Sequence, residues 1–164
     1  MPTIRAAVPA DLSAIGRLGA MLVRLHHEMD AARFIAATAQ TAEGYAGFLG
    51  TQLEEPDALV MVAERAGVVV GYSYAGMEEE DWMTLRGPAG VIHDLVVDVE
   101  ARNGGVGRAL LEATIAELER RGAPRVVLST AARNEAAQRL FARAGFRPTM
   151  VELTRERGAL TDRS

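Results

Sequence analysis

Leu95-Val96-Val97-Asp98-Val99-Glu100-Ala101-Arg102-Asn103-Gly104-Gly105-Val106-Gly107-Arg108-Ala109-Leu110-Leu111 reads as an apolar strand that passes through a glycine turn into an amphipathic helix. Gly104, Gly105 and Gly107 remove side chains where the strand becomes the helix. Several backbone N–H groups can then converge on one anion, and the helix N-terminus adds its partial positive charge. Such a turn suits a pyrophosphate. A Rossmann turn has the same order but requires G-x-G-x-x-G/A, and here Leu110 stands where the third small residue should be. Only about fifty residues follow, too few for the rest of a doubly wound sheet.

The flanking sequence gives the remaining elements. Upstream, Thr3–Val8 alternates weakly as a first strand and ends at Pro9. Asp11 is placed to cap a helix to about Met29, whose Leu12, Ile15, Leu18, Leu22 and Leu25 recur at three and four residues. Thr41, followed by Ala42-Glu43-Gly44-Tyr45, is read as the cap and beginning of a second helix to about Leu53, closed by Glu54-Glu55-Pro56-Asp57. Ala58–Ala63 and Val68–Ala75 form a hairpin across Glu64-Arg65-Ala66-Gly67. Gly76–Gly90 is a long loop or an extended hairpin tip, and Val91–Val97 leads into the glycine turn. Beyond the turn, Leu110, Leu111, Thr114, Ile115 and Leu118 share one helix face, and Gly122 and Pro124 stop that helix. Arg125–Ser129 is a short strand. Asn134 or Glu135 opens a helix through Ala144, and Phe146 to about Thr154 is the last strand. The expected fold is a mixed α/β domain, single over residues 1–164, with no internal repeat or linker.

Composition limits the chemistry. At 164 residues the chain can bury roughly 70% of its unfolded surface. Cysteine is absent, which removes disulfides, thiolate metal sites and cysteine nucleophiles. All 18 residues counted as Lys or Arg are arginine, so the P-loop lysine is missing. A formal net charge of −4 argues against a general nucleic-acid binder. No run approaches the roughly 18 apolar residues needed to span a membrane, and a cytoplasmic protein is expected.

The order Leu95-Val96-Val97, Arg102 to Gly107, Val126 to Ser129, Asn134 and Gly145-Phe146 resembles the GNAT superfamily of N-acetyltransferases. Its members share a strand ending in leucine-x-valine, a glycine turn, a helix, a strand, and an asparagine opening a helix that ends in glycine-phenylalanine. The resemblance implies the acyl-CoA N-acyltransferase fold: a six- to seven-stranded, mostly antiparallel sheet with a splayed central parallel pair, flanked by about four helices. It implies acetyl-CoA as cosubstrate and no metal. The backbone of Leu95, Val96 and Val97 would pair with the pantetheine arm as an added strand, and Arg102, Asn103, Gly104, Gly105, Val106 and Gly107 would hold the pyrophosphate. Such a pairing gives the amide groups of the arm donors and acceptors. A backbone N–H in Leu95–Val97 could also polarise the thioester carbonyl. Asn134 either contacts the cofactor arm or caps its helix, and both can hold together.

Acetyl transfer to an amine requires that an alkyl ammonium near pKa 10 lose a proton. His93 and Asp94 stand just before the pantetheine strand, and a glutamate-aspartate pair stands there in the diamine acetyltransferases that this segment resembles. His93 takes the glutamate position; it is either a base titrating near neutrality or a histidine satisfied within its strand. Asp94 projects to the opposite side of a regular strand, so both can face one substrate only across a bulge. Many members carry a tyrosine seven residues after the asparagine, near the cofactor sulfur. Phe141 occupies that position, which leaves water, a hydroxyl such as Ser129, or no acid at all to protonate the thiolate.

The acceptor is expected to be a primary amine of a small molecule: a polyamine, an aminoglycoside-like amine, or an amino acid or peptide. Glu78-Glu79-Glu80-Asp81 beside Trp82 is either an attractor for such a cation or a solvated tip. Tyr45, Tyr72 and Tyr74 line the acceptor cleft or belong to the core. Arg108 and Arg133 contact phosphates at the rim or form a solvated face, and His26 and His27 suit a helix C-terminus better than a metal site. An edge strand near the C-terminus points to a homodimer. A domain that binds or senses acetyl-CoA without turnover is the alternative.

Overall fold

Glu64-Arg65-Ala66-Gly67 turns the chain as its composition predicts. β2 (Ala58–Arg65) and β3 (Val68–Glu78) pair antiparallel across Ala66 and Gly67, whose positive φ values of 49° and 77° are those of a two-residue primed turn. In this computed structural model, which describes residues 1–159, the other elements are β1 (Thr3–Ala6), α1 (Leu12–Met29), α2 (Thr41–Gln52), β4 (Ala89–Val97), α3 (Val106–Arg120), β5 (Val126–Leu128) and α4 (Glu135–Arg143). The sheet runs β1-β2-β3-β4-β5, antiparallel except for the β4–β5 pair. None of the described helices is long and apolar enough to cross a membrane.

Strand alternation sends side chains to two apolar layers. On one face Val60, Val62, Tyr72 and Val96 pack with Ile15 and Leu18 of α1 and Leu49 of α2. On the other, Leu59, Ala75 and Ile92 meet Leu111 and Leu118 of α3 and Phe141 of α4, while Ala63 joins Val106 and Leu110. Fully burying each such aliphatic side chain stabilises the fold by roughly 1.5–3 kcal/mol. The buried hydroxyls of Ser73 and Thr114 satisfy one another at 2.7 Å between sheet and helix.

Two helix starts differ from the sequence reading. The Asp11 side chain does not cap α1; its carboxylate accepts from Arg5 at 2.7 and 2.9 Å and from the Val8 N–H at 2.9 Å, and Arg5 also holds Glu64. Held by the Arg5 guanidinium and by the preceding Val8 amide, the carboxylate makes no bond to the first N–H groups of α1. Thr41 lies inside α2 rather than capping it, and its hydroxyl accepts from the Thr38 N–H.

The described sheet has five strands, fewer than the six or seven expected, because Phe146–Thr154 is not a strand. Phe146 packs against Phe141, but Arg147 to Thr154 is exposed, and Pro148 has no N–H for a ladder. β5 offers it an edge of only three residues. The Gly76–Gly90 segment is the extended hairpin tip: β3 continues to Glu78, β4 starts at Ala89, and Asp81 and Arg86 bridge the tip.

Candidate active site

β4 and β5 pair only from Gly90 to Ile92, opposite Val126 to Leu128, and then separate. β4 continues to Val97 with one edge open. The Asp98 N–H bonds to the Val70 carbonyl, so ladder alternation turns the backbone of Val96 and Asp94 to β3 and that of Leu95 and Val97 to the open side. The Val97 carbonyl does face away from β3, since the Arg102 Nε donates to it at 3.2 Å. Of the three expected pairing residues, Leu95 and Val97 therefore turn their backbone to the open side, the Val97 carbonyl being held there by Arg102, whereas Val96 turns to β3.

Register breaks at His93: Tyr74 opposes Asp94 while Ala75 opposes Ile92, leaving His93 as the extra residue of a bulge. Ile92 and Leu95, three residues apart, consequently pack toward the same apolar layer. The bulge meets the condition that regular alternation sets for His93 and Asp94. Both now line the same two cavities.

The first cavity, 280 Å³, lies between the splayed strands and includes His26, Tyr45, His93, Asp94, Leu95, Ser129, Thr130, Asn134 and Phe141. The second, 510 Å³, is lined by Thr41, Gly44, Tyr45, Phe48, Tyr74, His93 and Asp94. Tyr45, His93 and Asp94 are common to both, so they stand where the cavities meet. Gly19 keeps Tyr45 there: a Cβ at residue 19 would lie 2.5 Å from the Tyr45 ring.

Burial pushes the Asp94 carboxyl above the usual carboxylate range, opposed by the Tyr72 hydroxyl and by the neighbouring His93 and His26. Tyr72 Oη donates to Asp94 Oδ2 at 2.8 Å, and Oδ1 has no protein donor among the described residues. His93 Nε2 lies 2.8 Å from Glu78 Oε1, and the imidazole stacks on Tyr74 at 5.0 Å. The other ring nitrogen, Nδ1, has no hydrogen-bond partner among the described residues. Burial, then Asp94, raises the Tyr45 phenol, and Tyr72 is a core residue with the same direction of shift.

The glycine turn lies past the end of β4 and lines neither cavity. Gly105 has φ 75° and supplies no side-chain cap, so the first N–H groups of α3 make no capping bond. No acidic residue occupies the first helical turn. Arg65 reaches across from β2 and donates to the Gly104 carbonyl at 2.8 Å. A cation, a lone helix N-terminus and a bare backbone thus share one surface, which suits a pyrophosphate.

Asn134 does cap α4, its Oδ1 accepting from the Ala137 N–H at 3.1 Å, and it also lines the first cavity. Arg108 pairs with Glu112, and Arg133 bonds to the Met29 carbonyl. Each of His26 and His27 bonds through Nδ1 to a backbone carbonyl, of Leu22 and Phe34 respectively. Phe48, Thr130, Arg65 and the Glu78–His93 pair were not singled out by the sequence, because nothing local marks a contact made across strands. Of the three tyrosines, Tyr45 and Tyr74 line the cavities and Tyr72 belongs to the core.

The chain is 32% identical over 108 residues to a mycothiol acetyltransferase of Propionibacterium freudenreichii, covering 66% of this chain and 33% of that protein. A mycothiol acetyltransferase of Cellulomonas flavigena is 32% identical over 158 residues, 92% of this chain and 42% of that one. The chain spans less than half the length of these curated relatives. An aminoglycoside N-acetyltransferase solved in complex with CoA superposes with TM-score 0.72 at 17% identity, covering 96% of this chain and 95% of that one, a likeness of fold. The sequence profile of the acetyltransferase (GNAT) family matches residues 23–146, which run from α1 through the bulge, the glycine turn and α4. The chain belongs to the acetyltransferase (GNAT) family.

Proposed function

We propose that this chain transfers an acetyl group from acetyl-CoA to a primary amine of a small molecule, by direct attack with both substrates bound. The observation that carries this reading is the meeting of two cavities at Tyr45, His93 and Asp94. The open edge of Leu95 and Val97 and the uncapped start of α3 fit a pantetheine arm and a pyrophosphate. Asn134 lines the arm's side of the cleft, and Arg65 and Arg102 flank the phosphates. When bound, acetyl-CoA supplies a thioester, from which the amine displaces the sulfur to give an amide, a thiol and one net proton.

Asp94 takes the ammonium proton. Its raised pKa makes it a stronger base than an exposed carboxylate, its Oδ1 has no protein donor among the described residues, and it borders both cavities. His93, whose Nε2 lies against Glu78, positions the amine beside it. Phe141 has no proton to give, and the hydroxyls that line the first cavity are those of Ser129, Thr130 and Tyr45, the last at its junction with the second. Release of free thiol from acetyl-CoA tests the reading across primary amines. Acceptor-dependent release is expected; acetyl-CoA binding without it would favour a sensing domain.

A further inference from the structure

The second cavity has aromatic walls and, among the described residues that line it, one acid, the half-buried Asp94. Phe48 is 52% exposed although it is a large apolar side chain. It meets Tyr74 edge to face at 5.7 Å, and Tyr74 stacks on His93 at 5.0 Å, so three rings form one continuous wall. Three polar atoms along this wall have partners within the protein, while Tyr45 Oη and His93 Nδ1 have none among the described residues. Tyr74 Oη donates to Gln52 Oε1 at 3.0 Å, Thr41 Oγ1 accepts from the Thr38 N–H at 2.8 Å, and His93 Nε2 is held by Glu78.

A ligand with hydroxyls along its whole length would leave those that face Phe48 and Tyr74 unpaired, which costs binding energy. An ammonium, by contrast, is attracted to aromatic faces and to the Asp94 carboxylate. From this we infer that the second cavity takes a primary amine with an apolar, ring-bearing body, its ammonium toward Asp94 and its body between Phe48 and Tyr74. The inference rests on the acetyl-transfer reading for its consequence, because the same amine then becomes the acceptor.

The probes are 2-phenylethylamine and glucosamine, each tested for binding by titration calorimetry in the presence of CoA and for turnover by thiol release. The expected preference for 2-phenylethylamine in kcat/KM is at least ~30-fold, within the range that apolar pockets give. Phe48→Ala, at a half-exposed position, is expected to reduce that preference about tenfold, with melting curves verifying the fold. Equal or better use of glucosamine overturns the inference, as does a preference that Phe48→Ala leaves unaltered or an absence of 2-phenylethylamine binding. Binding of 2-phenylethylamine, weakened by Phe48→Ala but without turnover, supports the ligand class and overturns acetyl transfer.

Discussion

Gly107→Asp separates what the fold asks of residue 107 from what the ligand asks. Gly107 lies in the first turn of α3 and its φ is not positive. A Cβ there would lie 3.6 Å from Leu140 Cδ2 and 3.6 Å from Val97 Cγ2, ordinary van der Waals contact. The folded chain therefore has room for a Cβ at this position. Aspartate is a better helix former than glycine by roughly 0.3–0.5 kcal/mol. A negative charge in the first turn adds roughly 0.3–1 kcal/mol at low salt. The unliganded variant is expected to melt a few degrees higher, at about 2–4 °C per kcal/mol. Toward a doubly charged pyrophosphate at about 5 Å, the same carboxylate is repelled by roughly 1.7 kcal/mol even at the dielectric of water. That repulsion corresponds to about 15-fold weaker binding of acetyl-CoA. Melting curves and titration calorimetry should move in opposite senses. An unchanged Kd would refute the placement of the pyrophosphate on this turn, and a lower Tm together with weaker binding would trace the loss to a damaged fold.

Asp94→Asn is expected to lower kcat by roughly 10²–10⁴ and to flatten the rise of rate with pH, read from pH–rate profiles. Burial raises the Asp94 carboxyl in the folded state, so its stabilising contribution is present below the unfolded pKa and is lost as pH rises through the folded one. The asparagine variant lacks that loss, and its Tm relative to the parent should increase from the ordinary aspartate range toward neutral pH. His93→Gln should lower kcat by about tenfold or less while keeping the pH-dependent rise, in the same profiles; loss of that rise would transfer the base role from Asp94 to His93. Phe141→Tyr puts a hydroxyl beside the first cavity and is expected to raise kcat up to about tenfold at an unchanged amine KM, measured by steady-state thiol release.

Local patterns carried most of the fold. The glycine turn, the helix face from Leu110 to Leu118 and the hairpin at Ala66-Gly67 are each written in consecutive residues, and each is found where the pattern puts it. What depends on partners distant in sequence was not legible. Asp11 has the composition of a cap, but Arg5 and Glu64 draw it into an ion-pair network. Phe146–Thr154 has strand-like apolar residues, yet it lacks an edge long enough to pair with. The bulge at His93 has no marker such as glycine or proline; it exists because β3 pairs on both sides of it in different registers. That bulge brings His93 and Asp94 to the same two cavities, on which the proposed site rests. Sequence could name both residues and state the condition for their cooperation, but not whether the backbone met it.

A crystal structure with CoA and an amine acceptor bound tests the junction of the two cavities most directly. The thiol is expected in the first cavity, near Ser129 and Phe141, with the pyrophosphate on the N–H groups that open α3. The acceptor nitrogen is expected in the second, within hydrogen-bond distance of Asp94. An acceptor bound away from Asp94, or CoA lying outside the gap between β4 and β5, would contradict the account.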